Sequence, residues 1–215
     1  MLEGRKAQFI DELMKQDSTK EQAEKEVSLS IERLIYYAGW CDKLQQLYST
    51  VNPVASSHFN FSAPEPTGVV SIIAPQNNSL IGLVSVIAPI IAGGNTCVVL
   101  ASASKPLCAV TFAEVLGTSD VPGGTINILT GKPGELLSWF SDHMDVNAIV
   151  FCENDKEAIL KIQQKATLNL KRVLLWNNYN WLLETAQNPY LINDAQEIKT
   201  TWHPIENIGG AKAGY

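Results

Sequence analysis

The groups able to do chemistry in this 215-residue chain are few and scattered. Cys41, Cys97, Cys108 and Cys152 include no Cys-x-x-Cys pair, and His58, His143 and His203 stand at no spacing that completes a zinc site. A thiol becomes a nucleophile when a neighbouring cation or a helix N-terminus favours its thiolate. Cys97 falls inside a strand-like run and Cys152 at the end of another, with no His or Lys beside either. The four cysteines therefore read as reduced, buried thiols, the three histidines as structural residues, and no metal is expected. More informative are four turns: Ala74-Pro75-Gln76-Asn77-Asn78-Ser79-Leu80, the turn after Gly93-Gly94-Asn95-Thr96-Cys97-Val98-Val99-Leu100, Gly131-Lys132-Pro133-Gly134, and Phe151-Cys152-Glu153-Asn154.

Those turns sit between elements of alternating type. From Gly68 onward, apolar β-branched runs (Val69 to Ile73, Thr96 to Leu100, Thr125 to Leu129, Val146 to Phe151, Arg172 to Leu175) alternate with helical patterns (Leu80 to Ile91, Pro106 to Leu116, Gly134 to Ser141, Asp155 to Ala166). Parallel strands need a crossover and a helix supplies it, so this order predicts an α/β fold: a doubly wound parallel sheet with helices on both faces over residues 68–176. Ligands of such sheets bind beyond the carboxyl ends of the strands, which is where the four turns lie. Ahead of the sheet, residues 1–48 carry apolar positions at helical spacing (Phe9, Leu13; Ala23, Val27, Ile31, Leu34, Ile35), and Ser18 to Glu21 fits a capping box that starts a second helix. Residues 49–67 read as a connector or small hairpin. Residues 177–215 read as an irregular segment with one alternating strand at Ile198, Thr200 and Trp202 and a loose tail from Gly209. The whole makes one domain without internal repeats.

Composition excludes several classes of partner. A net charge of −6 argues against nucleic acid and anionic membranes, which require clustered Lys and Arg. Lys165, Lys171 and Arg172 read as a solvated helix end and strand edge. Leu80 to Ala92, the most apolar run, is shorter than the ~20 residues of a membrane span. The charged beginning, Met-Leu-Glu-Gly-Arg-Lys, has no apolar h-region, so a cytoplasmic location is expected. Trp139, Phe140, Trp176, Tyr179 and Trp181 are aromatics for packing helices on the sheet or for lining an apolar pocket.

Six ordered segments carry a resemblance. Tyr36-Tyr37-Ala38-Gly39-Trp40, Gly68-Val69-Val70 through Pro75-x-Asn77, Ala92-Gly93-Gly94-Asn95-Thr96, Val121-Pro122-Gly123-Gly124-x-x-Asn127, His143-x-Asp145-Val146 and Asn169-Leu170-Lys171-Arg172-Val173 together resemble the aldehyde dehydrogenase superfamily. The likeness runs from about Ile31 to Leu175, the cofactor-binding part of that family, and its fold is Rossmann-like. It implies a nicotinamide dinucleotide, NAD, as cofactor, a catalytic Cys, a general-base Glu and an Asn that helps hold the oxyanion.

Position by position, most of that machinery is replaced. Asn77 matches the oxyanion donor by resemblance; its other reading is a turn Asn satisfying backbone at a helix N-terminus. The ribose-binding Lys and Glu positions hold Leu100 and Ala103. In the glycine motif, Pro133 and Leu137 stand where glycines let the cofactor approach, and both are expected to obstruct it. Glu153 and Asn154 occupy the turn facing the diphosphate; Glu153 reverses the attraction of a helix N-terminus for an anion, or else Glu153, Asn154 and Asp155 simply start a helix. Trp176 replaces the general base, and no Cys follows Cys152. The resemblance is strongest to the non-catalytic second repeat of two-repeat aldehyde dehydrogenase-like proteins. It implies a module without catalytic activity of its own and without bound cofactor, associated with an active homologous subunit or with itself. The alternative is an NAD-binding component completed by a partner chain supplying Cys and Glu.

Overall fold

The structure, a computed structural model, describes residues 1–205. In chain order the elements are helices α1 (Lys6–Met14), α2 (Lys20–Ala38) and α3 (Leu44–Tyr48), strands β1 (Thr50–Asn52), β2 (His58–Pro66) and β3 (Val69–Ile73), then α4 (Leu80–Ala92), β4 (Thr96–Leu100), α5 (Leu107–Gly117), β5 (Ile126–Leu129), α6 (Pro133–Asp142), β6 (Ala148–Phe151), α7 (Lys156–Ala166), β7 (Arg172–Leu175), α8 (Tyr190–Asp194) and β8 (Gln196–Pro204). Strands β3 to β7 form one parallel sheet in the order β5-β4-β3-β6-β7.

The sheet buries both faces, which is why its strands read as continuous apolar runs. Val70, Ile72, Val99 and Val150 pack toward α4 and α5 and, beyond them, Phe9, Leu13 and Val27 of the N-terminal helices. Ile73, Leu100, Ile149 and Phe151 pack on the opposite face against Leu137 and Phe140 of α6 and Ile162 of α7. Each such buried side chain contributes about 1.5–3 kcal/mol relative to exposure. The expected α/β sheet, covered by helices on both faces and preceded by N-terminal helices, is present.

Helix α2 begins one residue later than Ser18 would place it. Thr19 Oγ1 accepts from the Gln22 amide at 3.3 Å, and Gln22 Oε1 accepts from the Thr19 amide at 2.9 Å. Ser18 is committed elsewhere. Asp17 takes a left-handed backbone (φ 68°), and the Ser18 amide donates back to Leu13 O at 3.1 Å, closing the end of α1.

The part of the chain expected to be irregular after residue 176 contributes a long strand. β8 pairs antiparallel with β2 from His58 opposite Pro204 to Pro66 opposite Gln196, and β2 also pairs with β1, giving a second sheet in the order β1-β2-β8. The 49–67 hairpin and the Ile198–Trp202 alternation thus belong to one sheet. The glycine tail falls outside the described residues. The segment that leads to β8 is fastened by Arg33, a buried side chain whose Nη1 donates to Ser85 Oγ (2.7 Å), Nη2 to Trp181 O and Leu183 O (3.2 Å each), and Nε to Gln187 Oε1 (3.1 Å). All these acceptors are neutral, and burial lowers the basicity of the guanidinium.

Two further expectations are corrected here. Lys171 is buried, not solvated: its ammonium donates to Phe140 O (3.2 Å) and His143 O (2.8 Å) at the end of α6, where the helix dipole favours a cation. Arg172 binds Asp194 O, Gln196 O and the Glu197 carboxylate, joining β7 to the start of β8. Cys41 is exposed in the turn that follows α2, its thiol donating to Tyr37 O at 3.5 Å; the other three cysteines are buried as expected.

Candidate functional site

The order of the parallel sheet reverses at β3, whose neighbours are β4 on one side and β6 on the other. The turns leaving β3 and β6 diverge there, and the crevice between them is where a doubly wound sheet offers a ligand site. Register brings three turns level: Ile73 lies opposite Leu100 in β4 and opposite Phe151 in β6. The three turns around it are hydrogen-bonded to one another.

Gln76 and Glu153 make the central link. The Glu153 carboxylate Oε1 accepts from the Gln76 backbone amide at 2.8 Å, tying the β6–α7 turn to the β3–α4 turn. Gln76 Oε1 accepts from the Ala103 amide at 2.8 Å, while Gln76 O accepts from Ser102 Oγ at 2.8 Å and Ser104 Oγ at 3.0 Å, tying in the turn after β4. Gln76 Nε2 completes the set by donating to Ala74 O at 2.8 Å. Three loops that would have to receive a ligand are thereby joined to one another.

The individually expected positions fall out as follows. Asn77 is exposed in its turn, and no side-chain hydrogen bond joins it to the described residues, so it does not act as a helix cap. The N-terminus of α4 is capped from another helix: Glu26 Oε1 accepts from the Ile81 amide at 3.1 Å. Burial raises the Glu26 pKa, with the Ile81 amide and Lys105 opposing. Leu100 is fully buried and Leu137 nearly so, both in the core under α6. Pro133 is the first residue of α6, where a missing N–H costs nothing. Ala103 offers only its amide, already taken by Gln76. Asn154 Nδ2 donates to Asn177 O at 3.1 Å. Helix initiation at α7 is the work of Asp155 alone, which accepts from the Glu157 and Ala158 amides; Glu153 and Asn154 bridge turns instead.

The remaining candidates for reactivity are inert by environment. Cys97 and Cys108 are pushed up to about 12 by burial, and burial beside Glu153 drives Cys152 well above the ordinary thiol range. Trp176 is buried, and its indole N–H donates to Asp194 Oδ2 at 3.1 Å. Tyr179 and Trp181 pack ring to ring at 5.0 Å in the core. Trp139 and Phe140 are the two of these aromatics that line a 270 Å³ apolar cleft, with Val69, Val98 and Val146, and Trp139 stands 70% exposed over it. A 430 Å³ cleft lies between α2, α4 and Pro122. Both are away from the crevice.

Sequence reasoning passed over Gln76, Ser102, Ser104 and Glu26. The signal was a set of complementary donors and acceptors in three turns, but their pairing depends on strand register, which the sequence does not display.

Comparison with known proteins agrees with this geometry. The family model described as "Aldehyde dehydrogenase family" matches residues 1–178. Among curated proteins, the chain is 35% identical over 150 residues to cytosolic 10-formyltetrahydrofolate dehydrogenase of Xenopus tropicalis, covering 69% of this chain and 17% of that protein. It is 33% identical over 150 residues to the mitochondrial 10-formyltetrahydrofolate dehydrogenase of Homo sapiens, covering 69% and 16%. The chain thus spans about a sixth of the length of these relatives. Among solved structures, PnpE from Pseudomonas sp. WBC-3 superposes with a TM-score of 0.72 at 26% identity over 81% of this chain and 36% of that one. A variant of an aldehyde dehydrogenase from Bacillus cereus, at 22% identity and a TM-score of 0.73 over 81% and 35%, shares the fold.

Proposed function

Because the chain belongs to the aldehyde dehydrogenase family, we propose that it is a non-catalytic module of that family, which associates with an active homologous subunit in the cytoplasm and stabilises it. The observation that carries this reading is the Gln76–Glu153 link, which joins the turns of the crevice to one another. The residues at its mouth do not fit a nicotinamide dinucleotide. A diphosphate at the start of α7 would meet the Glu153 carboxylate, and a ribose at the end of β4 would find no hydroxyl-binding side chain there, Leu100 being buried in the core and Ala103 having none to offer.

The chemistry fares no better than the binding. Trp176, at the general-base position by resemblance, is an N–H donor with no proton-accepting lone pair. The buried thiols are held protonated, so none supplies a nucleophile at neutral pH. A folded module without these groups is suited to holding another chain.

Co-expression with an active aldehyde dehydrogenase subunit from the same cells tests the proposal. The expected result is co-elution on size exclusion and a higher melting temperature of the active subunit, with its turnover per subunit unchanged. Separate elution and an unchanged melting temperature would overturn it. Aldehyde oxidation that requires both chains and NAD would support instead the completed-enzyme alternative.

A further inference from the structure

At the amino ends of the parallel strands, away from the crevice, the face of the sheet that carries α6 holds the 270 Å³ cleft. Alternation along β3 puts Val69 and Ser71 on that face, and register places Val98 of β4 opposite Ser71, so these three side chains form its floor. Trp139 and Phe140, near the end of α6, form one wall. The turn from α6 into β6 supplies the other, with His143 and Asp145.

The polar groups here are almost all committed. Ser71 Oγ donates to Phe140 O at 3.4 Å, and His143 Nδ1 accepts from the Asp145 amide at 3.3 Å. Lys171, 5% exposed, spends its ammonium on Phe140 O and His143 O, and Asp142 pairs with Lys165. The Asp145 carboxylate is left: it lines the cleft, belongs to an exposed residue, and has no hydrogen bond or ion pair among the described residues.

We propose that this cleft binds a quaternary ammonium ion of the choline type. A cation is drawn to aromatic rings and to a carboxylate that lacks a counter-ion. An ammonium that carries N–H groups would lose its water here and find too few acceptors to replace it. A trimethylated nitrogen has no N–H to satisfy, and its methyl groups meet Val69, Val98 and Phe140 as apolar surface. The volume limits the rest of the ligand: 270 Å³ lies just below the ~300–1,000 Å³ of sites for drug-sized molecules, which suits a head group with a short polar tail. The net charge of −6 adds a longer-range attraction for a cation. The inference goes beyond the proposed function and depends neither on the crevice nor on a partner subunit.

Titration of the folded chain with choline chloride, against sodium chloride at equal ionic strength, tests it, with binding read by saturation transfer to the choline methyl protons. The expected result is saturable transfer with a Kd on the order of 1–10 mM. The neutral alcohol 3,3-dimethylbutan-1-ol has the same shape without the charge and is expected to bind at least about fivefold more weakly. Trp139→Leu is expected to weaken choline binding about tenfold, and Asp145→Asn about threefold. Both residues are exposed, so the two variants are expected to keep the wild-type melting temperature. Trp202→Leu, at the exposed tryptophan of the second sheet, is expected to change nothing. Absence of saturable transfer well above the millimolar range overturns the proposal. So does equal affinity for the neutral alcohol, or choline binding that survives Trp139→Leu or falls with Trp202→Leu. Should Trp139→Leu not fold, Asp145→Asn and the neutral alcohol decide.

Discussion

At the carboxyl ends of β3 and β6, Gln76, Glu153, Ser102 and Ser104 satisfy one another; at the edge of β8, the backbone groups of Ile198, Thr200 and Trp202 are met by nothing among the described residues. A doubly wound sheet ordinarily shows the reverse, with an open crevice that waits for its ligand. The contrast separates two things that one fold normally combines. The hydrophobic sheet that positions a site is intact, while the polar groups of the site have been turned to holding the turns together.

The link between the two regions can be broken at Arg33, which fastens the segment leading to β8 onto α2 and α4. Arg33→Ala leaves Gln187, Ser85 and the carbonyls of Trp181 and Leu183 without their donor, and the expected loss is about 3 kcal/mol. Urea denaturation measures it, and hydrogen exchange over residues 181–187 is expected to rise with it. Gln76→Ala removes the side-chain bonds to the Ala103 amide and to Ala74 O and leaves the backbone bonds to Glu153, Ser102 and Ser104 in place. It is expected to cost about 1–2 kcal/mol and to leave NAD affinity weaker than about 1 mM, because the Glu153 carboxylate and its bond to the backbone amide of residue 76 stay; appreciable binding by this variant would show that the Gln76 side chain had closed the site.

Glu26 sharpens the comparison through pH. Its pKa is raised in the folded chain, chiefly by burial. A raised carboxyl contributes stability that is fully present below the unfolded carboxyl pKa and is lost as pH rises through the folded one. Relative to Glu26→Gln, the wild type is therefore expected to lose stability as pH rises from the acid range through that folded value, read from melting temperatures of the two proteins at each pH. The smallest effect concerns the thiols. At pH 8 the native chain is expected to show fast labelling at Cys41 only, with Cys97, Cys108 and Cys152 reacting on unfolding. Fast labelling of Cys152 would reopen the search for a nucleophile.

Much of the sheet was legible because strands buried on both faces announce themselves as apolar runs; Val69 to Ile73 and Thr96 to Leu100 coincide with β3 and β4. Ends were less clear. Val146 lies outside β6 because Val146 N closes a turn onto His143 O, so β6 starts at Ala148. The crevice was legible only as departures from a resemblance: Leu100, Ala103, Pro133, Leu137, Glu153 and Asn154 could be named, but what replaced the lost function could not. Gln76 bridges turns that are distant in sequence. Lys171 misled for a related reason, since a lysine beside a strand reads as solvated until the end of α6 is found above it.

The most direct test of the central claim is titration of the folded wild-type chain with NAD, followed by calorimetry and by tryptophan emission. No saturable heat and no change in emission are expected well beyond about 1 mM. A specific affinity tighter than about 1 mM, roughly 4 kcal/mol, would contradict it, showing that the linked turns part to admit a cofactor.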